Sequence, residues 1–160
     1  MSGGEEELQQ LSQQIQAVES QLESIQTEIQ NLRARQGDID EAVEAIESLE
    51  TGSTVQVPVG GGAYVRATVD DIDEVIVDIG ADYAAERGQD GAVSLLEERK
   101  ALVADRIDEL NDAAAQLRSQ GEELSQEAEQ RLSQLQAERG GGGLPGAGGP
   151  PGGFPGGGNG

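Results

Sequence analysis

Two heptad-patterned segments of almost equal length, one on each side of a short Val/Ile-rich middle, constrain this chain more than any other feature. In the first, Leu8, Leu11, Ile15, Val18, Leu22, Ile25, Ile29, Leu32, Ile39, Val43 and Ile46 follow alternating steps of three and four residues, with polar Gln36 in the remaining slot. That spacing makes a coiled-coil seam. The second runs through Leu96, Val103, Ile107, Leu110, Ala114, Leu117, Leu124, Ala128 and Leu135, interrupted by Lys100, Gly121 and Arg131. Stripes of matched length can bury each other if the middle reverses the chain. From Leu8 to Leu49 one helix would run roughly 60 Å at 1.5 Å per residue. The expectation is a mainly α fold with a small β part: a long antiparallel coiled-coil hairpin, with both free ends meeting at one tip and the β segment at its base.

Composition removes many chemistries. With one Phe, two Tyr and no Trp in 160 residues, the chain has too little bulky apolar material for a thick globular core. Buried surface has to come from helix seams and from contacts between subunits. Cysteine and histidine are both absent, which excludes disulfides, thiol nucleophiles, imidazole bases and zinc held by those side chains. No run approaches the roughly twenty apolar residues that span a bilayer, and the start lacks the basic and apolar regions of a signal peptide. A cytoplasmic location is expected.

The charge is strongly acidic, 31 Asp and Glu against 10 Lys and Arg, for a formal net charge of −21. Residues 5–50 carry 12 acids and 2 bases, residues 51–91 carry 8 and 2, and residues 92–139 carry 11 and 6. Such a surface repels phosphate backbones and anionic lipid, so neither nucleic acid nor membrane is an expected partner. Only Lys100 among the bases is lysine. A diffuse, lysine-poor acidic surface suits a salt-rich cytoplasm, where the Debye length falls to a few Å and self-repulsion becomes tolerable.

Four regions follow along the chain. Residues 5–51 form the first helix, with Glu5, Glu6 and Glu7 placed against the positive end of its dipole. Gly37-Asp38 is a weak point, yet the seam keeps its phase through it, which favours one continuous helix. Thr51-Gly52 ends it, with Gly52 suited to the left-handed cap position. Residues 53–87 switch to a period of two: Val55 and Val57, then Tyr64 to Val69, then Val75 and Val77, then Tyr83 and Ala85. Gly60-Gly61-Gly62, Asp70 to Asp73 and Gly80-Ala81-Asp82 supply reversals, giving two β-hairpins. Pro58, unable to donate to a ladder, belongs at a strand end or edge. Residues 90–139 form the second helix, capped by Asp90 or by Ser94 with Glu97 three positions on. Residues 140–160 are almost all Gly and Pro without a strict every-third-Gly repeat, which reads as a disordered tail rather than collagen.

Two hairpins from one chain are marginal alone, because short strands need further strands or a packed face. Val55, Val57, Val65, Val69, Val75, Val77 and Ile79 are therefore the expected oligomerisation residues, their strands joining an oligomeric β-barrel.

Motifs that might carry chemistry dissolve. Gly60-Gly61-Gly62 is followed by no Gly-Lys-Ser/Thr and opens no helix, so it reads as a hairpin turn rather than a phosphate loop. Asp70-Asp71-Ile72-Asp73-Glu74 lacks the glycine and distal Glu of a calcium loop and reads as a solvated acidic turn. Lys100 and Arg131 read as seam-edge bases that pair with acids of the neighbouring helix. No enzyme activity, catalytic residue, metal or cofactor is expected. A carboxylate-dependent hydrolase is the weakest reading, since cleft-forming bulk and aromatic sugar platforms are lacking.

The run Val55-Gln56-Val57-Pro58-Val59-Gly60-Gly61-Gly62-Ala63-Tyr64-Val65, followed by Asp73-Glu74-Val75-Ile76-Val77-Asp78-Ile79-Gly80-Ala81-Asp82-Tyr83-Ala84-Ala85-Glu86, resembles the two-hairpin linker of the archaeal prefoldin family, in its alpha type. The resemblance covers about residues 5–139 and leaves the Gly/Pro tail outside it. It implies a heterohexamer of two alpha and four beta subunits, in which hairpins form a β-barrel platform bearing six coiled coils. It also implies holding of unfolded protein clients without ATP and their delivery to a group II chaperonin.

A physical route to holding lies at the free ends. Leu8, Leu11 and Ile15 on the first helix face Leu124, Leu132 and Leu135 on the second, where fraying ends leave apolar surface for weak, sequence-tolerant client binding. Several arms around one client raise the effective concentration of each next contact. The bland reading of these six is an ordinary closed seam end. The competing function is a structural coiled-coil adaptor or tether without client-holding activity, which has no need of the two-hairpin middle.

Overall fold

A computed structural model of the chain describes residues 3–143. Within it the elements run α1 (Gly3–Ser48), β1 (Thr54–Gly60), β2 (Ala63–Thr68), β3 (Val75–Gly80), β4 (Tyr83–Arg87) and α2 (Gln89–Gly143). Of the tail read as disordered, residues 140–143 instead continue α2, and residues 144–160, with Leu144 and Phe154, lie outside the described residues. The described residues form two compact units, one of Thr27–Leu110 and one of residues 3–26 with 111–143.

In the second of these units the ends of α1 and α2 lie antiparallel. Arg131 pairs with Glu7 at 3.3 Å, Arg139 with Glu5, and Leu135 sits against Gly4. Leu11, Val18 and Ala114 are buried, whereas Leu8, Ile15, Leu117, Leu124 and Leu135 are half-buried. Burial therefore recurs at the three- and four-residue steps of the seam, and the residues between face water. Gly121 falls on the seam opposite Val18, where an added Cβ would come within 3.3 Å of Val18 Cγ1.

In Thr27–Leu110 the same periodicity closes Ile29, Ile39, Leu96, Val103, Ile107 and Leu110, with Leu32, Gln36, Val43 and Ile46 half-buried. Lys100 pairs with Asp40 at 2.6 Å and Arg106 with Glu28 at 3.2 Å, so here too the helices are antiparallel. Both bases on the second seam, Lys100 and Arg131, thus pair with carboxylates of α1.

Helix α1 passes through Gly37 without a break. Gly37 is exposed and nothing lies within 4 Å of where its Cβ would stand, so only the backbone entropy of glycine acts there. Gly37→Ala is expected to stabilise the fold by about 0.5–1 kcal/mol, measured as a shift of the thermal midpoint at fixed salt. Unchanged or lowered stability would show that the local helix is already fixed by its seam.

The end of α1 differs from the expected glycine cap. The helix stops at Ser48, and residues 50–53 make a turn closed by the Ser53 N–H donating to the Glu50 carbonyl at 2.9 Å. Gly52 occupies its third position at φ +91, where a type II turn needs a positive φ, and its N–H donates to Val69 O at 2.7 Å. The open carbonyls of α1 are met from elsewhere. The side-chain amide of Gln89, the first residue of α2, donates to Ile46 O at 2.6 Å and Leu49 O at 3.1 Å.

The start of α2 also departs from expectation. Neither Asp90 nor Ser94 caps it, because the helix already opens at Gln89 and the Gly88 carbonyl accepts from Ala92 N–H at 2.8 Å. Early opening puts Ala92 fully inside the core, with Ile39, Val77 and Leu96 around it.

Candidate functional site

The four strands form two separate two-stranded antiparallel sheets, β1–β2 and β3–β4, with no pairing between them. In the first, Val55 opposes Ala67, Val57 opposes Val65 and Pro58 opposes Tyr64, with a register shift before Gly60 pairs with Ala63. Gly61 and Gly62 make the turn at φ +61 and +80, conformations that glycine adopts without strain. The triple glycine is a hairpin turn. Pro58 stands within β1, immediately before the shift, on a strand that is an edge of its two-stranded sheet, one of the two places expected for it. Ser53 O accepts from Val69 N–H at 2.8 Å, so Val69 continues the pairing one residue beyond β2.

Opposed residues in an antiparallel pair share a face. One face of this hairpin therefore carries Val55, Val57, Val65 and Ala67, and the other Gln56, Arg66, Pro58 and Tyr64. Val55, Ala67 and Val69 are half-buried, but Val57 is 44% and Val65 51% exposed. The apolar face of β1–β2 has no complete cover within the chain.

In β3–β4, Val75 opposes Arg87, Val77 opposes Ala85 and Asp78 opposes Ala84. Val77 is buried against Ile39, Ala92 and Leu96, with Val75 packed beside it, so this face belongs to the chain's own core. The oligomerisation set expected from sequence thus divides. Val77 and Val75 dock the hairpin on its own helices, whereas Val57, Val65 and Ile79, the last 50% exposed, are left largely uncovered within the chain.

Sequence reasoning missed Ile76, which opposes Glu86 on the outer face and is 72% exposed. The signal was present: an unbroken Val75-Ile76-Val77 run marks a strand with apolar residues on both faces. Tyr64, Tyr83 and Val59, exposed by 62%, 70% and 62%, complete the outward apolar group of the two hairpins.

Between the hairpins, Asp71 Oδ1 accepts from Asp73 N–H at 2.9 Å and Thr51 Oγ1 accepts from Ile72 N–H at 3.1 Å. The acidic run is a turn built on its own hydrogen bonds. Among the described residues no group of acids is arranged to hold a metal, and no helix is long and apolar enough to cross a membrane.

At the helix ends, the six residues singled out for client binding separate by exposure. Leu11 is closed in the seam at 7% exposure, and Leu8, Ile15, Leu124 and Leu135 are half-buried. Leu132 stands off the seam and is 47% exposed. Hydrogen bonding to Glu109, and then to Glu28, holds the Arg106 guanidinium above the usual arginine range.

Two long helices carrying paired hairpins define a prefoldin-like subunit. A family model described as Prefoldin subunit matches residues 18–134, and the chain belongs to the prefoldin family. Among similar proteins, the Prefoldin subunit alpha of Haloarcula marismortui is 56% identical over 116 residues, covering 72% of this chain and 75% of that protein. The Prefoldin subunit alpha of Halorubrum lacusprofundi is 56% identical, covering 70% and 74%. Filamentous PFD from Methanocaldococcus jannaschii, solved by cryo-EM, matches with a TM-score of 0.65 at 29% identity, covering 72% of this chain and 98% of that one. Family membership supports a role as a chaperone subunit.

Proposed function

We propose that this chain is an alpha-type subunit that assembles with prefoldin beta subunits, two alpha with four beta, holds unfolded protein clients at its helix ends without ATP, and passes them to a group II chaperonin in the cytoplasm. The observation that carries the reading is the uncovered apolar surface of the hairpins. Val57, Val65, Ile76 and Ile79 are all 44% exposed or more in the chain alone, an arrangement that serves strand addition by neighbours and is of no use to a simple tether.

Holding needs no driven step. Exposed Leu132 and half-buried Leu8, Ile15, Leu124 and Leu135 offer weak apolar contacts, and several arms acting on one client multiply them. The acidic surface keeps the loaded complex soluble.

The test is aggregation of a chemically unfolded protein, followed by light scattering in molar salt with no nucleotide, in the presence of this chain assembled with a haloarchaeal prefoldin beta subunit. Suppression by the intact complex is expected, with loss of most of it after removal of residues 1–15 and 128–160. Leu8→Ser with Leu132→Ser should lower it without shortening either helix. No suppression by the intact complex leaves only the tether. Equal suppression after trimming moves holding away from the helix ends.

A further inference from the structure

Within Thr27–Leu110, a concave surface of about 650 Å³ lies between α1, β3 and α2. It gathers Arg35, Arg99 and Arg106 around Ile79 and Leu102, with Asp38 and Asp78 as the acids of its lining. Three of the chain's ten bases therefore meet in one groove of a molecule whose net charge is −21. Leu102 is the anomaly. It lies next to seam residue Val103 but off the seam itself, and it is 68% exposed on a helix whose other outward positions are mostly charged or polar.

The arginines are held to different degrees. Arg99 donates to the Asp78 carbonyl, which ties α2 to β3, and Arg106 reaches Glu28 and Glu109 at 3.2 Å. Arg35 has no ion-pair partner among the described residues. An exposed leucine and an unpaired guanidinium lining one groove are poor surface for a free chain and good surface for a complementary one.

Resting on the function proposed above, we infer that this groove seats a segment of a neighbouring prefoldin subunit that presents an aliphatic side chain flanked by carboxylates. Charge selects that occupant. An unfolded client bound through sequence-tolerant apolar contacts has no need of the unpaired Arg35 guanidinium, and a polyanion entering the groove meets the carboxylates of Asp38 and Asp78. In molar salt the Debye length is below about 3 Å, so only carboxylates in direct contact are felt. Leu102 then supplies most of the affinity and Arg35 supplies selectivity.

Leu102→Asp and Arg35→Glu change exposed side chains outside the seam, and Arg33→Glu, on the same helix but outside the groove, is the control. Each is titrated with a haloarchaeal prefoldin beta subunit in about 3 M KCl and followed by sedimentation, with helical content measured in parallel. Leu102→Asp is expected to weaken assembly by about tenfold or more and Arg35→Glu by a smaller factor, while Arg33→Glu leaves it unchanged. Unchanged assembly in both groove variants overturns the inference while leaving the proposed function standing. A wild-type chain that binds no such subunit refutes both. Loss of self-association alone assigns the groove to a second copy of this chain, and loss of client holding with assembly intact assigns it to clients; either result overturns the proposal.

Discussion

Val57→Asp combined with Val65→Asp is expected to abolish assembly with partner subunits while leaving α1 and α2 folded. The two valines oppose each other across β1–β2 and are 44% and 51% exposed, so the chain's own core loses little when they change. A partner strand laid on that face would have to bury two carboxylates placed directly opposite one another. Like charges so placed destabilise the pair, and each unpaired buried charge costs several kcal/mol. Affinity should fall by more than about a hundredfold, that is by at least about 2.8 kcal/mol. Val57→Thr with Val65→Thr separates shape from charge: both residues favour strands, so the hairpin survives and the loss should be nearer tenfold. Mass measurement of the co-expressed complex in molar salt reads the outcome. Full-sized complexes formed by the aspartate pair would mean that assembly does not use this face.

The second large effect is expected from salt. Thirty-one acids face ten bases, and the described residues contain five ion pairs, each with substantially exposed partners. Exposed pairs contribute little, and they leave the excess of like charge in place. The cohesion opposing that repulsion is a narrow seam in which no large side chain among the described residues is fully enclosed. At about 3 M KCl the repulsion is screened within a contact distance, whereas near 0.1 M it extends about 10 Å and couples carboxylates along and across the helices. Circular dichroism should therefore show full helicity in molar salt and a cooperative loss on dilution, reversed by adding salt back. Full helicity at 0.1 M would remove salt adaptation as the reason for this surface.

Much of the architecture was legible because one physical rule dominates each region. A three-and-four step over many turns admits a helix seam and little else, and Gln36, Lys100, Gly121 and Arg131 did not disturb its phase in the structure. Glycines at the hairpin turns were equally plain. The β segment was harder, since a period of two says that faces alternate without saying which face meets the helices. Val77 and Ile76 are neighbours of the same type, yet one is buried against Ile39 and the other is 72% exposed. That choice depends on where α2 begins, and α2 begins at Gln89 because its side chain and the Gly88 carbonyl serve the junction. Several capping chemistries were available there. The Arg35, Leu102 and Ile79 groove was invisible for a related reason: its residues are far apart in sequence and meet only once β3 lies beside α2.

The absence of pairing between β2 and β3 has a consequence for the life of the chain in the cell. Each hairpin keeps two margins that no further strand covers, and such margins template indiscriminate strand addition. A copy without companions is therefore expected to self-associate through these margins.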